Sequence, residues 1–136
     1  MQVTERSPAQ LITALGSGDV DIAIMVGQPQ DSTLIARKLF QSSRTFYASP
    51  EYVAEHGTPL VTADLNNHRA ILLPQDNPRY WPIVGEHRLC HRALACNNIT
   101  FAREAAVAGA GIVGLPRMIC REVLERGELI ELLPEV

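Results

Sequence analysis

The sequence predicts an α/β fold. Two stretches carry that expectation. Ser7-Pro8-Ala9-Gln10 marks a helix start, Gly16 and Gly18 mark its stop, and an apolar run from Asp19 to Gly27 follows directly. Near the other end, a helical stretch closes at Gly109 and Gly111 and leads into the short apolar run Ile112 to Leu115. Helices alternating with short apolar strands are the pattern of an α/β unit built on a parallel sheet.

Each element has its own local reason. Ser7 and Gln10 form a capping box, in which each side chain satisfies an unpaired backbone N–H of the other. Proline suits the first helical position because its missing N–H would have had no partner there. Leu11, Ile12 and Leu15 then recur at helical spacing. Gln2 to Glu5 is a candidate strand ahead of this helix. Leu34 to Phe40 and Arg44 to Ala48 read as two further strands, after a turn-rich loop from Gly27 to Ser32. Ser49-Pro50 starts a second helix through Tyr52 and Val53, stopped at His56-Gly57. Thr62 to Leu65 reads as one helical turn, and Arg69 to Leu73 as a strand closed by Pro74. The stretch from Gln75 to Asn98 is the least periodic, with short strands expected at Ile83 to His87 and Leu89 to Ala95. Thr100 is expected to cap a helix from Phe101 to Ala108. Ile112 to Leu115 is a strand. Pro116 opens a last helix whose apolar side is Met118, Ile119, Val123 and Leu124. Leu129 to Leu133 closes the chain as a strand.

The chain has 136 residues, 46% of them apolar and 20% charged. That suits one domain or two small lobes, and a chain of this size buries roughly 68% of its unfolded surface. The net charge is −3 and the 12 basic residues are scattered, which disfavours nucleic-acid binding by this chain alone. No run approaches the ~20 apolar residues of a membrane span, and the polar start lacks the apolar centre of a signal peptide. Three cysteines do not suggest a disulfide scaffold. A cytoplasmic protein is the expectation.

Three motifs test other chemistries. Gly109 to Gly114 matches the G-x-G-x-x-G dinucleotide pattern, but that motif needs a strand before it and a helix after it. Here the order is reversed, so a glycine helix stop leading into a closely packed strand is expected instead of a nucleotide site. His87, Cys90, His91 and Cys96 are zinc-ligand types, yet their spacing matches no standard structural zinc pattern. No metal and no cofactor is expected. No serine sits in a nucleophile elbow, and Gly16-Ser17-Gly18 is a helix terminus. Asp19 and Asp21, and Glu104, Glu122 and Glu125, read as solvated carboxylates. Asn97-Asn98-Ile99-Thr100 is different. A helix start offers free N–H groups and partial positive charge to a carboxylate or phosphate.

These segments fall into one order. Leu11-Ile12 is followed by Gly18-Asp19-Val20-Asp21-Ile22-Ala23-Ile24, then by Leu34-Ile35-Ala36-Arg37-Lys38-Leu39. Next come Ala48 to Pro59, with Ser49-Pro50-Glu51-Tyr52 inside it, and Asp64-Leu65 with His68. Ala105 to Pro116 and Gly127-Glu128-Leu129 complete the set. In this order they resemble the effector-binding domain of LysR-type transcriptional regulators, over nearly the whole chain.

The resemblance implies a fold like type 2 periplasmic binding proteins, with two α/β lobes and a small-molecule site in the cleft. It implies a partial first lobe over residues 1–49 and a nearly complete second lobe over residues 50–136. The effector would be lined by Val26, Gly27 and Gln28 from the first lobe, and by Asn98, Thr100, Phe101, Leu115 and Pro116 from the second. The expected ligand is a small organic acid or amino acid, with no catalytic residue. The family's winged helix-turn-helix is absent from the sequence, so DNA contact would come only through such a domain. Effector domains also carry further elements ahead of Gln2 and beyond Val136, so the chain reads as truncated at both ends. An uncovered strand edge near Val3 to Glu5 or Ile22 to Val26 would then pair with a second copy or with another LysR-type subunit. Two alternatives stay open: a ligand-free interaction fragment, and a small enzyme using Cys90, His91 or Cys96.

Overall fold

The computed structural model describes residues 1–25, 33–41, 44–74, 76 and 92–134. They form two compact units, Met1–Leu39 and Phe40–Val136.

The first unit contains α1 (Pro8–Ser17). Its capping box is present: the Ser7 N–H donates to Gln10 Oε1 at 3.0 Å and the Gln10 N–H to Ser7 Oγ at 3.4 Å. Gly18 ends the helix at φ +79°, a left-handed conformation that glycine adopts without strain. The expected strands Gln2 to Glu5 and Leu34 to Phe40 do not form, nor does one form in the described part, residues 19–25, of the run ending at Gly27. A strand needs a paired neighbour for its N–H and C=O groups, and these segments are not among the strands that pair into the sheet. Ile22 and Ile24 are accordingly 82% and 73% exposed.

The second unit is a five-stranded sheet between two helical layers. Its elements are β1 (Arg44–Ala48), α2 (Pro50–His56), a 3-10 helix (Thr62–Asn67), β2 (Ala70–Leu72), β3 (Arg92–Ala95), α3 (Ile99–Val107), β4 (Ile112–Pro116), α4 (Arg117–Glu125) and β5 (Ile130–Leu132). The strand order is β3-β2-β4-β1-β5. β2 is parallel to both β3 and β4, but β1 is antiparallel to β4 and to β5. The sheet is therefore mixed, not parallel throughout. Direction is set by long-range pairing, such as Phe46 opposite Gly114, which no local pattern announces. That pairing also places β1 within the second unit.

Successive strand residues point to opposite faces, and both faces are covered. Phe46, Ala48, Ala70, Ile112 and Leu132 pack with Tyr52 of α2 and Leu65 of the 3-10 helix. Tyr47, Ile71, Val113 and Leu115 pack on the other side with Ala102 and Ala106 of α3 and Cys120 and Val123 of α4. This explains the unbroken apolar runs of the sequence, because a strand buried on both faces has no polar side to alternate. In α4 the buried residues are Cys120 and Val123, whereas the expected Met118 is 57% exposed. The glycine stop works as a packing device. A Cβ on Gly111 would lie 2.4 Å from the Arg69 carbonyl oxygen, and the Ile112 N–H donates to that same oxygen at 2.8 Å.

Candidate functional site

The three mutually parallel strands β2, β3 and β4 end at one edge of the sheet. α3 begins where β3 ends and α4 begins where β4 ends. Both helix N-termini therefore stand at that edge, the place where open α/β sheets hold ligands. β1 runs the other way, so its first residue, Arg44, pairs with Pro116 at the same edge.

The start of α3 differs from expectation by two residues. The N-cap is Asn98, not Thr100, and its Oδ1 accepts the Phe101 N–H at 2.8 Å. Asparagine outranks threonine as a cap, and the Asn98 side chain reaches the third helical amide. Thr100 is the second helical residue and is exposed; Phe101 is 55% exposed. The Ile99 and Thr100 amides precede the first residue that can find an intrahelical acceptor. Leu115 is fully buried between the sheet and the α3–α4 layer, so it brings backbone, not side chain, to the edge. Pro116 ends β4 and caps α4. Asn98, Thr100, Phe101, Leu115 and Pro116 thus gather along one edge. Val26, Gly27 and Gln28 lie outside the described residues.

Charged groups brace this edge. Arg44 Nε donates to the Gly114 carbonyl at 2.7 Å, and its guanidinium pairs with Asp76. The Asp76 carboxylate, almost wholly buried, also accepts the Leu73 N–H. Arg44 is therefore already neutralised and bound to backbone. Arg117 pairs with Glu131 at 3.2 Å, joining α4 to β5. Arg103 donates to the Ile119 carbonyl at 3.1 Å, joining α3 to α4. Sequence reasoning passed over Arg44 and Asp76, because two residues far apart in the chain give no periodic or motif signal.

The cysteine–histidine cluster cannot be assembled here: His87, Cys90 and His91 lie outside the described residues. Among the described residues no group of three metal-ligating side chains occurs. Burial pushes the Cys120 thiol up to about 11, far from a nucleophilic thiolate at neutral pH. Cys96 is half-buried, with Sγ 3.7 Å from the Asn98 carbonyl.

The order of elements and the edge at which the helices start match one family. The LysR substrate binding domain profile covers residues 1–136. The chain belongs to that family. Among similar proteins is an HTH-type transcriptional regulator of Haemophilus influenzae, 36% identical over 120 residues that make up 85% of this chain and 42% of the relative. HTH-type transcriptional regulator CrgA of Neisseria meningitidis is 33% identical over 85% of this chain and 40% of its own length. The chain thus spans about two fifths of the length of these relatives. The CrgA regulatory domain superposes with a TM-score of 0.72 at 32% identity, over 90% of this chain and 62% of that one. The regulatory domain of AphB from Vibrio vulnificus superposes with a TM-score of 0.64 at 29% identity, over 82% and 58%.

This LysR substrate-binding domain is accordingly a LysR-type regulatory, effector-binding domain and not an enzyme. Its periplasmic-binding-protein-like fold agrees with the expectation drawn from the resemblance. No helix among the described residues is long and apolar enough to cross a membrane.

Proposed function

We propose that this LysR substrate-binding domain senses a small organic acid or amino acid in a cytoplasmic transcriptional regulator, using the edge where α3 and α4 begin. One observation carries the reading. Parallel strands bring two helix N-termini to a single edge, and the N-terminus of a helix favours a negative group through free amides and the helix dipole. The Asn98 side chain occupies the Phe101 amide, leaving the Ile99 and Thr100 amides and the Thr100 hydroxyl to meet a carboxylate. Phe101 supplies an exposed apolar surface, and Pro116 supplies the neighbouring wall. Leu115 supports the edge from beneath. A ligand redirects a regulator only by binding two arrangements with different affinity, and DNA contact belongs to an HTH domain elsewhere in the regulator.

The test is a thermal melt of the 136-residue chain with a panel of small organic acids and amino acids. A ligand at ~100 times its Kd adds about 2.7 kcal/mol, which moves the midpoint of a domain of this size by several degrees. A shift with one acid, and none with its amide, supports the reading. A midpoint unmoved by every acid in the panel overturns it for this chain.

A second reading rests on a different observation. The exposed Ile22, Ile24, Ile35 and Leu39 of the first unit offer apolar surface suited to pairing with a second copy or another LysR-type chain. Light scattering at rising concentration tests it: a growing mass supports pairing, and a monomer throughout rejects self-association.

A further inference from the structure

A chain of hydrogen bonds on the α2 face of the sheet joins the Arg69 backbone, Tyr52 and His68. The Arg69 backbone N–H can only donate, and it donates to the Tyr52 hydroxyl oxygen at 2.9 Å. The hydroxyl proton then goes to His68 Nδ1, 3.1 Å away. In the arrangement that satisfies all three groups, Nδ1 accepts and the ring is neutral, with its proton on Nε2. Both side chains are buried: Tyr52 is 1% exposed and His68 6%. An imidazolium would carry a hydrogen at Nδ1 and could not accept. The Tyr52 O–H proton would then lose its acceptor in a dry site, which is costly.

The surroundings do not offset that loss. On α2, His56 stacks on the Tyr52 ring with centroids 4.3 Å apart, and a second positive charge there would repel an imidazolium. Glu55 lies beside His56 at 4.0 Å and is exposed. On the 3-10 helix, the Asp64 carboxylate favours the charged ring, but it is already committed to the Leu60 and Val61 amides at 2.9 and 3.1 Å. The Arg69 side chain adds another positive charge near Tyr52. The residues packed with Tyr52 from the sheet, Ala48, Ala70 and Ile112, are apolar.

We propose that the Tyr52–His68 hydrogen bond is an acid-sensitive latch holding α2 against the corner where the 3-10 helix enters β2. Arg69 extends its reach, because the Arg69 carbonyl receives the Ile112 N–H and sits against Gly111. Acid therefore loosens α2 and this corner first, while the α3–α4 layer on the opposite face stays packed.

Hydrogen exchange on the full chain tests this through the protection factor of the Arg69 amide between pH 7.5 and 5.5. Protection falls by up to about tenfold per pH unit once the pH drops below the ordinary histidine range, while the Ala106 amide in α3 keeps its own. His68→Asn places a carbonyl acceptor near the Nδ1 position but cannot titrate, so its Arg69 protection stays flat. Tyr52→Phe shows low protection at both pH values. Unchanged Arg69 protection in the wild-type chain, or the same decline in His68→Asn, overturns the latch. Should both variants fold poorly, NMR of the wild-type ring decides. A neutral ring with Nε2–H at pH 7.5 that protonates as Arg69 protection is lost supports the latch. Protonation with protection retained overturns it.

Discussion

A tyrosine hydroxyl that both accepts from a backbone amide and donates to an imidazole leaves no room for a silent substitution. Tyr52→Phe keeps the ring, its stacking and its burial, but leaves the Arg69 N–H and His68 Nδ1 unpartnered. The expected cost is about 1–3 kcal/mol, read as a lower urea midpoint at unchanged slope. Gly111→Ala meets backbone, not a movable side chain, so one methyl group forces β2 and β4 apart. Its cost should be about 1–3 kcal/mol, measured by thermal melting. Thr100→Ala is the opposite case. Thr100 is exposed and is not the cap, so the melt of the free chain should barely move while any acid-induced shift shrinks. An undiminished shift would remove Thr100 from the proposed edge. Cys120, buried and with its thiol pushed up to about 11, should resist alkylation in the native chain and react on unfolding, as mass mapping of the modified cysteine would show.

At the scale of elements, caps were readable and partners were not. Ser7 with Gln10 and Ser49 with Pro50 start their helices as their sequences indicate, because a cap is a contact within three residues. Asn98→Ala should cost about 1 kcal/mol and lower hydrogen-exchange protection in the first turn of α3, because it frees the Phe101 N–H. The apolar segment from Val20 to Met25 has strand composition but forms no ladder here, since a strand is completed only by a neighbour. Strand composition is local; strand formation is not. The same logic hid Arg44 and Asp76. Their ion pair joins the start of β1 to the turn after β2, and no spacing in the sequence relates the two.

For the whole molecule, the two helical layers on the sheet respond differently to acid. His68 lies below its usual protonation range, chiefly because burial disfavours the charged ring. As pH falls below the ordinary histidine value, the unfolded chain takes up a proton that the native chain refuses, so stability falls. Denaturation midpoints should therefore be lower at pH 5.5 than at 7.5, with the difference reduced in His68→Asn. The Asp64 carboxylate, held below the ordinary carboxylate range by the Leu60 and Val61 amides, contributes stability lost only at still lower pH. It does not confuse that window.

By itself the sequence determined the helix starts at Ser7 and Ser49, the glycine stops and the ordered segments by which the chain resembles a LysR effector domain. Each is written in residues close together or in a fixed succession. The direction of β1, the burial of Cys120 in place of Met118 and the bracing of the edge by Arg44 and Asp76 were decided only by tertiary structure. Strand pairing, helix rotation on a sheet and ion pairing across the fold depend on what lies opposite in space, and a local pattern cannot encode what it does not touch.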